Sequence, residues 1–334
     1  MLIVQKIDHR NLVLDVLRGM AVLGLLLVKF PGNPSYVYTV LHYPEGNMLT
    51  DMVYSFFLFA MGLSMFYSFS KYEFSWSKRI AVKIGRRVAL LLGISIVLNL
   101  LNMINTRVSH FFEINELCYI AISYGLTALL VLWLKRLRFL ISVVLLLTII
   151  CCQTFLPFPV NVLRMLSSMI IVLTGYATII FCHGRTSRLL LSLGLFIVGL
   201  SCFLIGSVWE YTVPVNTTSV VKMISYSWIS YGCLVFLIDV CRWSKWTYLF
   251  TIFGKNTLLI YVLAAVFALS FGKIIVWTTP AGSAVSISQW FYKNLCAAFF
   301  GNNEAGSFCY ALVCALLLWL VAWLFHRRKI FIKV

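Results

Sequence analysis

The stretch LVLDVLRGMAVLGLLLVKF (residues 12–30) decides the class of this chain. It is apolar apart from Asp15, Arg18 and Lys29. At roughly 20 residues it is long enough to cross a bilayer's hydrocarbon core. A second apolar run begins near Asp51, and PGNPSYVYTVLHYPEGNMLTD (residues 31–51) lies between the two. Its three prolines interrupt any helix, and it carries His42, Glu45 and Asp51. Reactive groups gathered at one bilayer surface point to chemistry carried out there.

Composition extends this reading to the whole chain. The sequence is 62% hydrophobic and 11% charged, with a mean hydropathy of +0.96. A soluble domain of 334 residues cannot bury that much apolar side chain. Proline and glycine fall mainly between the apolar runs, which argues against barrel strands. The expectation is an all-α polytopic membrane protein, a single transmembrane domain over residues 1–334. It has about ten spans, centred near residues 20, 60, 95, 124, 148, 171, 198, 229, 260 and 316. Residues 284–300 are moderately apolar and read as either a partial eleventh span or a surface helix.

The net charge of +17 does not mark a nucleic-acid binder, because the cations alternate with the spans. Lys6 and Arg10, the cluster from Lys71 to Arg87, residues 135–138, Arg185 and Arg188, Arg242 and Lys245, and the tail from Arg327 hold 19 of the 27 Lys and Arg. The positive-inside rule puts these segments and both termini in the cytoplasm. His42, Glu45 and Asp51 then face the opposite side. Most basic loops need no further role than topology and contact with lipid headgroups.

The ten cysteines lack CxxC or His/Cys ligand spacing, so no metal is expected. Cys296 and Cys309 flank the outer region and are a candidate disulfide. Asp15 and Arg18, three apart on one helix face, either fix helix packing or line a polar ligand path. Among the other histidines, His110, beside Glu113 and Glu116, is the one placed to approach an outer site.

Several strings, in order along nearly the whole chain, carry a family resemblance. NLVLDVLRGMAVLGLLLVKFPG (11–32), then His42, then LTDMVYSFFLFAMGLSM (49–65) resemble the opening of the heparan-α-glucosaminide N-acetyltransferase family and its bacterial relatives. KIGRRVALLLGI (83–94), VPVNTTSVVKMISY (213–226), FGKNTLLIYV (253–262) and RRKIFIKV (327–334) resemble later family segments. One apolar string is weak evidence, since such helices mimic one another; collinear strings are much stronger.

The resemblance implies transmembrane acetylation: acetyl-CoA is taken from the cytoplasmic side and its acetyl group delivered to an amino sugar on the other. It makes His42 the active-site histidine, which either carries the acetyl group or deprotonates the sugar ammonium. Asp51 orients that imidazole, or simply caps the second helix after Thr50. Arg18, Arg86, Arg87, Lys255 and Asn256 are the candidates for holding acetyl-CoA. Glu45, Asn216 and Glu116 are the candidates for holding the acceptor.

The chain also departs from the family. Lys29 replaces the Asn of the turn after the first span; as a candidate catalytic cation it stabilises an anion but repels a sugar ammonium. ELCYIAISY (116–124) lacks the Gln-Arg pair common in the fourth span, and HYPEGN (42–47) replaces a His-Ala-x-Trp-x-Gly run. These changes leave room for an O-acetyltransferase of surface glycans or for a non-catalytic or transport member. The expected partners are an amino-sugar or glycan substrate and membrane lipid, with a homodimer allowed by analogy and no nucleic acid. The sequon Asn216-Thr217-Thr218 speaks for a secretory-pathway protein, whereas the small outer loops favour a bacterial inner membrane.

Overall fold

Phe30 and Pro31 stop the first helix: proline lacks the N–H that would continue it and disfavours helical backbone before it. The last helical bond is donated by the Phe30 N–H to Leu26, at 3.1 Å. The computed structural model describes residues 2–33, 42–43, 46–72, 75–106, 115–133, 159–182, 187–209, 215–278 and 284–328. Within them α1 (Leu2–Lys29) leads to a hairpin of two short strands, β1 (His42–Tyr43) and β2 (Gly46–Asn47). There follow α2 (Met48–Ser70), α3 (Lys78–Thr106), α4 (Glu116–Trp133), α5 (Val160–Cys182), α6 (Arg188–Trp209) and α7 (Val215–Val235), the last ending in a π-turn, Phe236–Val240. The remainder comprises α8 (Thr247–Lys255), α9 (Thr257–Leu269), a second hairpin of β3 (Val276–Thr278) and β4 (Ala284–Ser286), α10 (Ile287–Phe291), α11 (Ala297–Phe300) and α12 (Glu304–Arg327).

Among the described residues, seven helices are long and apolar enough to cross a membrane: α2 to α7 and α12. They match the expected spans near 60, 95, 124, 171, 198, 229 and 316. The span expected near 260 is a helix pair instead, α8 and α9, bent by 82°. The helix expected near 20 is α1, unbroken over Leu2–Lys29 and carrying Asp15, Arg18 and Lys29, and the span near 148 lies outside the described residues. Residues 287–300 form a short helical run with a π-turn at Tyr292–Cys296, too short for a roughly 20-residue crossing. Cys296 and Cys309 are free thiols, so the candidate disulfide is not formed. Burial, then the Cys309 and Cys314 thiols, push the Cys296 thiol up to about 11, which keeps it protonated and unreactive.

The apolar surface is distributed as lipid requires. Leu190, Ile197 and Val208 of α6 are 71%, 63% and 68% exposed. In water such a face would aggregate; in a bilayer it is the solvent-matched side. Association of helices there depends on close packing, and paired glycines supply it. A Cβ at Gly62 of α2 would strike the carbonyl oxygen of Val172 on α5, and one at Gly175 would strike that of Phe59. The crossing of α1 with α8 is built the same way, with Gly19 against the Phe250 carbonyl and Gly254 against the Asp15 carbonyl.

Helix α1 joins two apolar cores. Val13 to Ala21 pack with α2 to α7, whereas Val22, Leu26 and Phe30 pack with α8, α9, the Tyr292–Cys296 turn and α12. Beyond the bend, α9 rises along α1, bringing the Phe267 ring within 5.6 Å of Phe30. The turn after α1 is pinned to the start of α12: Gly32 N–H donates to Ser307 Oγ at 2.9 Å and Asn33 N–H to the same oxygen at 3.4 Å. Ser307 is fully buried, so Ser307→Ala leaves the Gly32 donor without its acceptor. It is expected to destabilise by about 1–3 kcal/mol. Faster amide exchange at Gly32 and Asn33 with a lower Tm checks this; an unchanged profile would show the pin to be dispensable.

Candidate functional site: two polar clusters along the first helix

A charge inside a membrane helix is costly unless it is paired or faces a wet cavity. The three charges of residues 12–30 on α1 fall into two groups. Asp15 and Arg18 lie together one turn apart, and Lys29 lies 11 residues, about 16 Å, further along.

The first cluster surrounds Asp15 and Arg18. Arg18 Nη1 is 3.7 Å from Asp15 Oδ1. The α1–α8 glycine crossing brings Lys255 within electrostatic reach of Asp15, and α3 brings Arg87 within reach of Arg18. The Arg87 guanidinium sits over the Tyr124 ring, 4.5 Å from its centroid. Its buried Nε has no hydrogen-bond acceptor. Lys83, over the Tyr72 ring at 5.5 Å, is in reach of both Lys71 and Arg87. Among the described residues, cations outnumber the one carboxylate, Asp15, and a buried guanidinium N–H has no acceptor: a set of donors suited to an anionic ligand. Of the sequence candidates, Arg18, Arg87 and Lys255 come together. Arg86 is exposed, about 100° around α3 from Arg87.

Asn256 lies at the break between α8 and α9 and is 1% exposed. Its N–H donates to Phe253 and its carbonyl accepts from Ile260, each at 3.1 Å, and its side chain does not cap α9. A backbone break at membrane depth is tolerated where it is enclosed by protein or lines a cavity.

The second cluster gathers at the other end of α1, where α2, α4, α5 and α9 meet. Helix α4 is fixed by Asn115: its Oδ1 accepts from the Cys118 N–H at 3.4 Å, while its Nδ2 donates to Asn99 Oδ1 of α3 at 2.8 Å. That sets Glu116 in the first turn. The Tyr119 hydroxyl donates to Asn161 Oδ1 of α5 at 2.9 Å. Ser168 Oγ donates to the Arg164 carbonyl at 2.8 Å, which leaves the Tyr54 hydroxyl of α2 to donate to Ser168 at 2.9 Å. With the helices so joined, Asp51 is in electrostatic reach of Arg164 and Glu116. Glu116 is also in reach of Lys29 and Tyr261.

Lys29 lies over the Tyr261 ring at 4.9 Å. The repulsion it would exert on a cationic acceptor is therefore offset by an aromatic face and by Glu116. Asp51 is inside α2, three residues past its first helical residue, and the N-cap position falls on Asn47; Asp51 is thus not the capping residue. In the hairpin, His42 pairs with Asn47 and Tyr43 with Gly46. This register folds the His42 backbone onto the residue immediately before α2, and β1 packs against that helix. Glu45 lies outside the described residues, as do His110 and Glu113. Asn216 is in the first turn of α7.

Arg164, Tyr54, Tyr119, Asn161, Ser168 and Tyr261 were not among the sequence candidates. Arg164 had a usable signal: it is a cation outside the basic loops, near the end of a span where the charge pattern has few. A comparison with curated proteins finds no match. A family model, the catalytic region of heparan-alpha-glucosaminide N-acetyltransferase, matches residues 10–182. That interval takes in α1 to α5 and so most of both clusters, while Lys255, Asn256 and Tyr261 lie beyond it. With more than half of its length matched, including most of both polar clusters, the chain belongs to the heparan-alpha-glucosaminide N-acetyltransferase catalytic family, integral membrane proteins that are transmembrane acetyltransferases in general.

Proposed function

We propose that this protein takes the acetyl group of cytoplasmic acetyl-CoA and passes it to the amine of a glucosamine-type sugar on the opposite side of the membrane. The observation that carries this reading is the pair of clusters on α1. The cation-rich one suits the phosphates of CoA, and the other, about 16 Å away, holds carboxylates and tyrosines beside the His42 hairpin. That separation is of the order an extended pantetheine arm covers.

In this reading Arg18, Arg87 and Lys255 hold the donor's phosphates, and Asn256 stands at the break where the thioester passes. At the far end the thioester C–S bond breaks and a C–N bond to the sugar amine forms. The ammonium gives up two protons, one passing to solvent by way of His42 and the other ending on the CoA thiolate, which leaves as the thiol. His42 serves either as general base for direct attack or as the nucleophile that carries the acetyl group. Asp51 and Glu116 favour the sugar's ammonium before it is deprotonated. The basic segments then face the cytoplasm, as in a bacterial inner membrane.

Purified protein should release CoA from acetyl-CoA in a glucosamine-dependent manner, with one acetylated amine formed per CoA. Alkali-labile acetyl product in place of the amide would move the acceptor to a hydroxyl. Absence of CoA release with every amino sugar tried would remove the enzyme reading.

A further inference from the structure

The connection from α2 to α3 reads KYEFSWSKR (residues 71–79), three cations and one carboxylate around a tryptophan. It is tightly built. The Ser75 N–H and hydroxyl both donate to the Tyr72 carbonyl at 3.0 Å, and the Ile80 N–H donates to Ser77 Oγ at 3.4 Å as α3 begins. This sets Trp76 beside the end of α4. Trp76, Leu129, Leu130, Leu132 and Trp133 line an apolar groove of about 450 Å³, within the roughly 300–1,000 Å³ range of ligand sites. Its two rings, Trp76 and Trp133, are 52% and 81% exposed. Because α3 and α4 are both long and apolar enough to be spans, these tryptophans stand at the same membrane interface. Leu129 and Leu126, one and two turns back from Trp133, are also exposed. The groove therefore runs from the interface into the face that α4 gives to lipid.

The rim of the groove is basic. Lys71, Lys78 and Arg79 are exposed and close no ion pair within 4.0 Å among the described residues; Glu73 lies outside those residues. Lys78 and Arg79 open α3, whose first turn contains no acidic residue. That is the unfavourable end of a helix for cations, since its first N–H groups already carry positive partial charge. Lys71 is also in electrostatic reach of Lys83 on the same helix. Crowded like charges beside an apolar groove fit an occupant with a negative head and an apolar tail.

We propose that this groove holds one anionic phospholipid, with an acyl chain between Trp76 and Trp133 and the phosphate against Lys78 and Arg79. The headgroup offsets the charge at the start of α3, and the chain covers the two rings. With the basic segments facing the cytoplasm, the leaflet they meet is the one rich in anionic lipid.

The test uses purified full-length protein in phosphatidylcholine nanodiscs, titrated with phosphatidylglycerol or phosphatidylcholine brominated on the acyl chain, which quenches tryptophan on contact. Brominated phosphatidylglycerol should quench at about 10- to 100-fold lower mole fraction than the choline lipid, the range expected from two cations at a membrane surface. Trp76→Phe with Trp133→Phe should remove that difference and leave the quenching common to both lipids. Lys78→Gln with Arg79→Gln should bring phosphatidylglycerol down to the choline level. Its Tm in phosphatidylcholine should match wild type, because exposed cations at a helix N-terminus add no stability. Glycerol phosphate at the same ionic strength should not displace the brominated lipid; displacement would make the site one for soluble phosphate and overturn the proposal. Equal quenching by both lipids would reduce the groove to ordinary bilayer contact. A preference that survives Lys78→Gln with Arg79→Gln would place the lipid elsewhere. Quenching that is unchanged in the double tryptophan variant would mean the groove is filled by the chain's own segment after Trp133. Each of these outcomes sinks the assignment.

Discussion

His42→Ala is expected to lower acetyl transfer by about 10²–10⁴-fold, the range attributable to a positioned acid–base group. If the imidazole itself carries the acetyl group, no transfer above background should remain. The expectation rests on the register of the first hairpin. Pairing His42 with Asn47 fixes its backbone at the mouth of α2, and Asp51 follows within the first turn. An imidazole working there needs a partner for the charge it acquires, and a carboxylate inside α2 is available for that role in a way a capping residue, occupied with backbone N–H groups, is not. Acetyl-CoA binding should be unchanged in the variant, because the donor cluster gathers around Arg18, about 16 Å along α1 from Lys29 and the far cluster. The check is the rate of glucosamine acetylation alongside donor binding. Turnover near wild type would remove His42 from the chemistry, and loss of donor binding would mean the hairpin supports the bundle as a whole.

Seven of the spans were legible because hydropathy alone defines them: a run of about 20 apolar residues has few other fates. What hydropathy cannot register is direction. Residues 247–269 contain one apolar run, and nothing in their mean composition distinguishes a straight span from two helices bent by 82° at Asn256. Gly254 was the local hint, since an isolated glycine in a helical pattern commonly has a packing reason. Strands of two residues have no period to detect, so the His42–Asn47 hairpin was invisible.

The far cluster was half legible. Asp51, Glu116 and Lys29 could be grouped because each stands near a span end on the side with few cations. Tyr54, Tyr119 and Tyr261 look like interfacial anchors in sequence, where tyrosine is common on other grounds. Only the packing of α2, α4, α5 and α9 separates them from that background. Arg164 went unremarked because cations were sorted by loop, and it belongs to none.

Gly254→Val should be among the most costly single apolar changes near the donor cluster. The added carbons have nowhere to go: at the Cβ position the obstacle is the Asp15 carbonyl, which is backbone of a packed helix and cannot rotate aside as a side chain can. Overpacking typically costs 1–3 kcal/mol when side chains can adjust, so about 3 kcal/mol or more is expected here. In detergent this should lower Tm by roughly 5–10 °C. Gly19→Val should do the same from the opposite face of the crossing, where the Phe250 carbonyl is the obstacle. Gly93 supplies the control: a Cβ there meets nothing within 4 Å, and Gly93→Ala should hold or raise Tm, because alanine is the better helix former. The two effects of Gly254→Val should also be coupled. Moving α8 off α1 carries Lys255 away from Asp15, so donor affinity should fall together with Tm, while Gly93→Ala leaves it alone. A Gly254→Val protein with wild-type Tm would mean that α8 does not cross α1 at contact distance, and the first polar cluster would lose the element that brings Lys255 to it.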